Sequence, residues 1–251
     1  MCNKFGLWLL LFISLFSSCQ SINRSRTELE IPERTVFFSF DDGPDVHGNT
    51  TARLLDVLKK HQIRSLFCLL GENVEQYPDL VRRIHDEGHI IVNHGYRGKW
   101  AGKMDDEEFR DNLVRGGEAI STALGFDMDP KLYRPHGGLF KSRHEKIWID
   151  EGYAMVPATV RVYDAVATAA DQRKIVKKAI EKLEKQEGGM LLLHDGRDTF
   201  PNRERQLKKN PEGAFNRSWI PETVDEIITA LLEKGFVLNG LYDPGLTSGS
   251  Y

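Results

Sequence analysis

Cysteine is scarce in this chain, which has only three among 251 residues. Cys2 and Cys19 belong to a leader-like N-terminal segment, so Cys68 is the one thiol left for the rest of the chain. One thiol excludes an intramolecular disulfide and a cysteine-built zinc site there. We expect Cys68, which lies in the apolar segment 65–70, to be a small core residue.

An excess of positive charge is also lacking. The chain has 34 Lys and Arg against 37 Asp and Glu, for a formal net charge of −3. This balance argues against a protein that binds nucleic acid through bulk positive charge, and we expect no nucleic-acid partner. The hydrophobic fraction of 40% and charged fraction of 28% are typical of a globular protein, and the length suits one domain of barrel or sandwich size.

Long apolar runs are missing except near the N-terminus. The run 7–16 follows Lys4 and precedes Ser17-Ser18-Cys19. The pattern predicts a lipoprotein-type signal peptide over 1–19 that ends at an acylated Cys19, since the run is short for a transmembrane helix. Ordinary secretion and an uncleaved anchor are the alternatives. A polar tether over 20–33 follows, and we expect a lipid-anchored protein of the bacterial envelope, on the outer membrane or periplasmic face if the cell is Gram-negative.

Strand-like and helix-like patterns alternate along the rest of the chain. The predicted strands are 35–40, 65–70, 89–93, 131–134, 154–158, 190–194 and 236–238, and the predicted helices are 51–60, 77–87, 105–124, 141–151, 171–186 and 221–234. Such alternation predicts parallel βαβ units with right-handed crossovers. Either an incomplete (β/α) barrel or an open doubly wound sheet satisfies it, and in both the chemistry gathers at the carboxyl ends of the strands.

Polar side chains follow several of these strands. Asp41 and Asp42 end the first one before Gly43-Pro44, and we expect them to point in opposite directions because adjacent residues of an extended strand do so. Two acids before Gly-Pro are more often a solvated turn, and a lone histidine after a strand is more often a core residue. Several such residues at one rim are harder to explain by chance; the others are His94, Arg134, Asp164 and His194.

A family resemblance rests on the order of these motifs. The sequence resembles the polysaccharide deacetylases of carbohydrate esterase family 4, the NodB-homology domain, in Ser39-Phe40-Asp41-Asp42-Gly43-Pro44, in segment 54–60, in Gly88-His89 with Asn93-His94, in Tyr133-Arg134-Pro135 and in Leu192-Leu193-His194-Asp195. The resemblance implies an α/β fold, a distorted (β/α) barrel with about seven parallel strands, over 34–242, with a C-terminal tail over 243–251. It also implies hydrolysis of N-acetyl groups, with O-acetyl groups as a variant, on an envelope or extracellular polysaccharide.

The resemblance further implies roles for single residues. Asp41 matches the catalytic base, Arg134 the arginine that holds it, His194 the catalytic acid and Asp164 the acid that tunes His194. Asp42 and His94 match ligands of a divalent metal, for which we expect zinc, with cobalt or nickel as alternatives. A backbone N–H of the loop after Arg134, at Gly137, is expected to stabilise the oxyanion.

The sequence departs from the family pattern at its second metal-binding histidine, where Gly98 stands. Three interpretations follow. His136 or His47 completes the metal site; or two side chains and water hold a weakly bound metal; or the domain binds glycan, or a partner, without hydrolysis.

An unusual segment, 196–219, follows His194 and shows no clear periodicity. We expect it to lean over the cleft, with Trp219 as a substrate contact, and the alternative is a solvated surface excursion. Its basic and aromatic members are Arg197, Phe200, Arg203, Arg205, Lys208, Lys209, Phe215, Arg217 and Trp219.

Overall fold

The computed structural model of the chain describes residues 33–238. The predicted signal peptide with Cys19, the tether up to residue 32 and the C-terminal tail lie outside the described residues. Within 33–238, no helix combines the length and the apolar character that a membrane crossing requires.

A parallel seven-stranded sheet, curled into a half-barrel, forms the centre of the fold, as the resemblance implied. The spatial order of its strands is β5-β4-β3-β2-β1-β7-β6. The strands are β1 (Thr35–Gly43), β2 (Leu66–Leu69), β3 (Ile90–Asn93), β4 (Leu132–Tyr133), β5 (Ala154–Met155), β6 (Val160–Arg161) and β7 (Gly188–His194).

Two strand assignments differ from the prediction. The segment 236–238 makes only an isolated bridge, between Val237 and Thr35. The seventh strand is instead β6, which pairs with β7 through Val160 and Leu191. With two residues, β6 is too short to produce a periodic pattern in the sequence.

Eight helices cover the sheet in the described part of the chain. They are α1 (Thr50–Lys60), α2 (Gly71–Gln76), α3 (Pro78–Asp86), α4 (Asp106–Leu124), α5 (Ser142–Asp150), α6 (Gln172–Lys185), α7 (Phe200–Lys209) and α8 (Ile220–Glu233), with single 3₁₀ turns at His47–Asn49, Ala101–Lys103, Asp164–Val166 and Ala169–Asp171. The six predicted helices are confirmed to within one residue at each end. Helices α2 and α7 were not predicted, because α2 is short and α7 is almost entirely polar.

The main hydrophobic core lies between the sheet and helices α1 to α4, α6 and α8. Strand β1 is buried along nearly its whole length, as expected for a central parallel strand. Cys68 is fully buried and free, which confirms its assignment to the core.

Strand register brings the predicted functional residues to one rim. Asp41 pairs with Cys68 of β2 on one side and with His194 of β7 on the other. Asn93 pairs with Leu69 and with Tyr133. His94 and Arg134, which follow Asn93 and Tyr133, therefore leave the sheet on the same side as Asp41 and His194.

Close packing of α4 supports the turn that carries His94. A Cβ on Gly116 would lie 2.4 Å from Asn93 Oδ1 and 2.8 Å from the carbonyl carbon of Gly95. Asn93 Oδ1 accepts a hydrogen bond from the Gly95 N–H at 2.8 Å. The absence of a side chain at Gly116 thus lets the helix pack directly against the turn after β3.

Candidate active site

Asp41 lies beside a buried guanidinium. Arg134 Nη1 donates a hydrogen bond to Asp41 Oδ1 at 2.7 Å and another to Ser39 Oγ at 3.0 Å. Burial alone would raise the pKa of Asp41, but the charges of Arg134, His94 and His194 together outweigh it and leave the pKa below its ordinary value. Asp41 is therefore ionised at neutral pH, with Oδ2 not used by Arg134.

Asp42 does not point away from Asp41 as an extended strand predicted. The register of β1 shifts between Asp41 and Gly43, and Asp42 has a φ of 71°, in the left-handed region. As a result, Asp41 Oδ2 and Asp42 Oδ1 each lie 3.5 Å from His94 Nε2. The prediction of opposed carboxylates is wrong, because the bulge turns the second one towards the same space.

His94 has the tautomer that a metal ligand needs. Its Nδ1 lies 2.7 Å from the carbonyl oxygen of Arg134, so Nδ1 carries the proton and donates it there. This leaves the lone pair on Nε2, and such a second partner is usual for metal-binding histidines. Burial lowers the pKa of His94 below its ordinary value, so the ring is neutral at pH 7.

His136 completes a group of three candidate metal ligands. One ligand atom each from Asp42, His94 and His136 lie within 4.8 Å of one another. His136 Nε2 lies 3.3 Å from Asp42 Oδ1, and this buried oxygen has no hydrogen-bond partner among the described residues. Two imidazoles and a carboxylate are a donor set that suits zinc and related divalent ions, so these residues fit the implied metal.

The position of Gly98 explains how His136 enters this group. A Cβ on Gly98 would lie 3.5 Å from His136 Nε2 and 2.9 Å from Asp198 Oδ1. The space into which a side chain at 98 would grow is thus shared by the His136 ring and Asp198. An imidazole from the turn after β4 stands next to the place where the resemblance expects one from the turn after β3.

The structure does not bring His47 into the group. Within 33–238, the three clustered ligand candidates are Asp42, His94 and His136 alone. His47 starts a 3₁₀ turn, and its backbone N–H donates to Asp45 Oδ1 at 2.8 Å. Of the two proposed substitutes, only His136 is therefore placed to bind the metal.

His194 and Asp164 form the second pair. Asp164 Oδ1 lies 3.0 Å from His194 Nδ1, and Asp164 Oδ2 accepts the His194 backbone N–H at 2.8 Å. Burial alone would lower the pKa of His194, but Asp164, with smaller contributions from Asp42 and Asp41, raises it to about 9. The ring is therefore protonated at neutral pH, and Nε2 is the nitrogen left to face a ligand.

The turn after Arg134 is tight and lies beside an exposed aromatic ring. Gly137 has a φ of 76°, and a Cβ there would lie 3.0 Å from the indole of Trp100. The next N–H, of Gly138, donates to Pro135 O at 3.0 Å. The oxyanion role of Gly137 stays a prediction. Trp100 is 51% exposed and was missed in the sequence, where it lies outside every family motif.

The segment 196–219 is a solvated excursion only in part, since Arg205, Lys208 and Lys209 are exposed but other members are not. It contains α7, and Arg203, Arg217 and Trp219 are buried. Trp219 packs in the main core, and its Nε1 donates to Asn216 O at 3.0 Å. The prediction of Trp219 as a substrate contact is wrong, because Trp219 directly precedes α8 and its ring is buried in the core. Arg197 is half-buried, with its guanidinium carbon 4.5 Å from the centre of the half-buried Phe215 ring.

Two buried carboxylates near the site were not assigned roles from the sequence. Asp195 Oδ2 accepts a hydrogen bond from Thr51 Oγ1 at 2.6 Å, and burial raises the pKa of Asp195 to about 7. Asp45 is fully buried, and its Oδ1 lies 3.3 Å from Arg203 Nη1. Asp195 follows His194 directly in its motif, which was the one available signal.

Comparison with known proteins shows similarity to polysaccharide deacetylases. A family model described as polysaccharide deacetylase matches residues 29–156. The peptidoglycan-N-acetylglucosamine deacetylase of Bacillus cereus is 35% identical over 136 residues, which are 54% of this chain and 48% of that protein. The chain thus aligns with about half the length of this relative.

Two further relatives align over most of their length. A chitooligosaccharide deacetylase of Bradyrhizobium is 27% identical over 216 residues, which cover 83% of this chain and 89% of that protein. The crystal structure of the Bc1960 peptidoglycan N-acetylglucosamine deacetylase matches with a TM-score of 0.66 and 28% identity, covering 82% of this chain and 85% of that one.

The metal group predicts a specific effect of losing His136. In chelated protein reloaded with Zn²⁺, we expect His136→Ala to weaken zinc binding by more than the about 10–100-fold that loss of an outer-shell partner costs. His47→Ala is the matched control and should bind as the wild type does. Isothermal titration calorimetry measures both. Wild-type affinity in His136→Ala would contradict the assignment.

The raised pKa of His194 predicts how stability depends on pH. Its folded value of about 9 lies above the ordinary 6.5, so the protonated ring stabilises the fold fully below pH 6.5. This contribution should be lost as the pH rises from 6.5 through 9. Denaturant unfolding of chelated protein at several pH values checks it, because His194→Gln should lack this loss. Parallel curves for the two proteins would refute the prediction.

Proposed function

The chain belongs to the polysaccharide deacetylase family, and we propose that it hydrolyses N-acetyl groups of an envelope or extracellular polysaccharide, with O-acetyl esters as a variant substrate. One observation carries the proposal: an ionised carboxylate and a protonated imidazole, each held by its own partner, face the same three candidate metal ligands. Deacetylases of this family depend on a metal.

The base half of the reaction falls to Asp41. Arg134 occupies Oδ1, so Oδ2 is the oxygen that takes the proton of the attacking water. Because Arg134 keeps the pKa of Asp41 low, the carboxylate is ready to accept that proton at neutral pH. A divalent cation held by Asp42, His94 and His136 would lower the pKa of the water and polarise the acetyl carbonyl.

The acid half falls to His194. Asp164 engages Nδ1, which leaves the Nε2 proton for the departing amine nitrogen. The pKa of about 9 keeps this proton in place before the reaction. The hydroxyl of the attacking water thus adds to the acetyl carbon and ends up in acetate, and the proton of that water goes to Asp41. His194 protonates the nitrogen as the C–N bond breaks. The opposite protonation states of the two groups at one pH assign base and acid.

The alternative is a catalytically impaired glycan-binding domain, which the glycine at position 98 favours. His136 weakens this alternative, since it offers a ligand atom beside the same space. Retention of Arg134 on Asp41 and of Asp164 on His194 also argues for chemistry, because binding alone requires neither pair.

The function is tested by acetate release from N-acetylated glycans, with chitooligosaccharide and peptidoglycan as substrates. We expect Asp41→Asn to reduce turnover by about 10²–10⁴-fold, the usual contribution of a positioned general base. Zinc content should stay unchanged, since Asp42, His94 and His136 remain. Asp79→Asn, a change at a side chain 94% exposed, is the matched control. No acetate release by zinc-loaded wild type across the panel would favour the binding domain instead.

We also propose that the chain is anchored to the bacterial envelope through lipid on Cys19. Support comes from the short apolar run 7–16 and the Ser17-Ser18-Cys19 that ends it. Cells fed radiolabelled palmitate should label the wild type, and Cys19→Ser should lose the label. Label that persists in this variant would contradict acylation at Cys19, and a wild type without label would leave secretion or an uncleaved anchor as the explanation.

A further inference from the structure

Arg217 is a fully buried guanidinium that contacts both members of the His194–Asp164 pair. Its Nη2 donates to Asp164 Oδ2 at 2.6 Å and its Nη1 to the Asp164 carbonyl oxygen at 3.0 Å. Its Nε donates to the carbonyl oxygen of His194 at 3.2 Å. It comes from the segment after α7 that the family motifs do not include.

The cost of burying this charge argues that its contacts matter. A buried ion pair seldom stabilises a fold more than well-packed hydrophobic side chains would. The guanidinium nevertheless donates hydrogen bonds both to the Asp164 carboxylate and to the backbone carbonyl of His194, whose ring Asp164 contacts. Such fork geometry fixes orientation in a way that a point charge does not.

We propose that Arg217 is a positioning residue, which aims the Asp164 carboxylate at His194 and limits how tightly that pair holds its proton. The proposal rests on the proposed function, since it assigns Arg217 to the acid half of the same reaction. Arg134 and Arg217 then play matching parts: each binds one oxygen of a carboxylate and leaves the other for the working partner, with Oδ2 of Asp41 for water and Oδ1 of Asp164 for the His194 ring.

The charges around His194 explain why Arg217 would need to limit how tightly the pair holds its proton. Asp164, Asp42 and Asp41 all favour its protonated form, whereas the nearby His136 opposes it. An acid surrounded by three carboxylates holds its proton too well to release it readily to a leaving group. Arg217 places a fixed positive charge on the far oxygen of Asp164 and so offsets part of that field.

The sign of the effect follows from the coupling of the pair. His194 and Asp164 titrate together, and removing a neighbouring cation raises the pKa values of the pair as a whole. Loss of the charge at 217 should therefore make the last proton harder to remove. Loss of the fork alone, with the charge kept, should leave that proton affinity near the wild-type value and disturb only the alignment.

Two variants separate charge from geometry. We expect Arg217→Gln to shift the His194 ring titration, followed by ¹⁵N NMR in chelated protein, upwards by about one pH unit. We expect Arg217→Lys to titrate close to wild type. In zinc-loaded protein, both should lose about 10–100-fold in kcat with little change in KM, because misalignment of about an ångström costs that much.

Arg203→Gln is the control for loss of a buried guanidinium from the same segment. It removes a side chain that is 0% exposed and pairs with Asp45, so it should lower the melting temperature without shifting the His194 titration. A purely structural Arg217 would behave in the same way, and that result overturns the proposal. If Arg217→Gln does not fold, Arg217→Lys decides alone, and wild-type kcat in that variant overturns it.

The two proposals fail in distinguishable ways. The NMR titration is read in protein without metal or substrate, so it tests Arg217 even if no glycan is turned over. Conversely, acetate release by wild type together with an unmoved titration in Arg217→Gln would leave the function standing and refute the role of Arg217.

Discussion

Charge compensation in a buried cluster is the constraint on which this rim of the sheet depends. Asp41, Asp42 and Asp164 are each at most 5% exposed, and carboxylates can remain ionised at such depth only beside positive partners. Arg134 forms an ion pair with Asp41, and Arg217 and His194 both form ion pairs with Asp164. Within 33–238, Asp42 makes no ion pair with an arginine or lysine; its partners are imidazoles at 3.3 Å and beyond, and Arg197 acts on it only at longer range. Of these three carboxylates, the one without a directly paired arginine is thus the one assigned to a metal, which would supply the missing charge.

Arg134 joins the two halves of the site mechanically. Its side chain holds Asp41, and its carbonyl oxygen orients the ring of His94. Two residues later the same turn supplies His136. Because Pro135 lies between Arg134 and His136 and restricts the backbone, the base and two of the three ligand candidates depend on the placement of one short segment. The geometry of metal and base would therefore change together.

The sequence was sufficient to predict the fold and most of the residues at the rim. Strand ends carry the chemistry in parallel α/β folds, so Asp41, His94, Arg134 and His194 could be placed from the pattern alone. The direction of Asp42 could not, because it depends on a bulge and a left-handed backbone that the pattern of side chains does not encode. Arg217 and Trp219 were misjudged for another reason. Basic and aromatic residues in an aperiodic segment normally face solvent, and only the buried acid at 164 and the core under α8 explain why these do not.

The choice between His136 and His47 was also beyond the sequence. Both histidines lie close to a motif residue along the chain, and separation along the chain does not measure distance in space. The structure distinguishes them at Gly98, because the ring of His136 borders the volume that a side chain at position 98 would fill.

That exchange changes which part of the chain is free to vary. With a histidine at 98, the loop between β3 and α4 would have to return to the metal, and its length would be fixed by the need to deliver a ligand. With the ligand at 136, that loop has no such duty beyond His94. Variation at the exposed Lys99 and Trp100 would then reshape the entrance of the site, whereas Ala101, which is buried and donates its N–H to the carbonyl oxygen of His136 at 3.1 Å, still ties the end of this loop to the ligand turn.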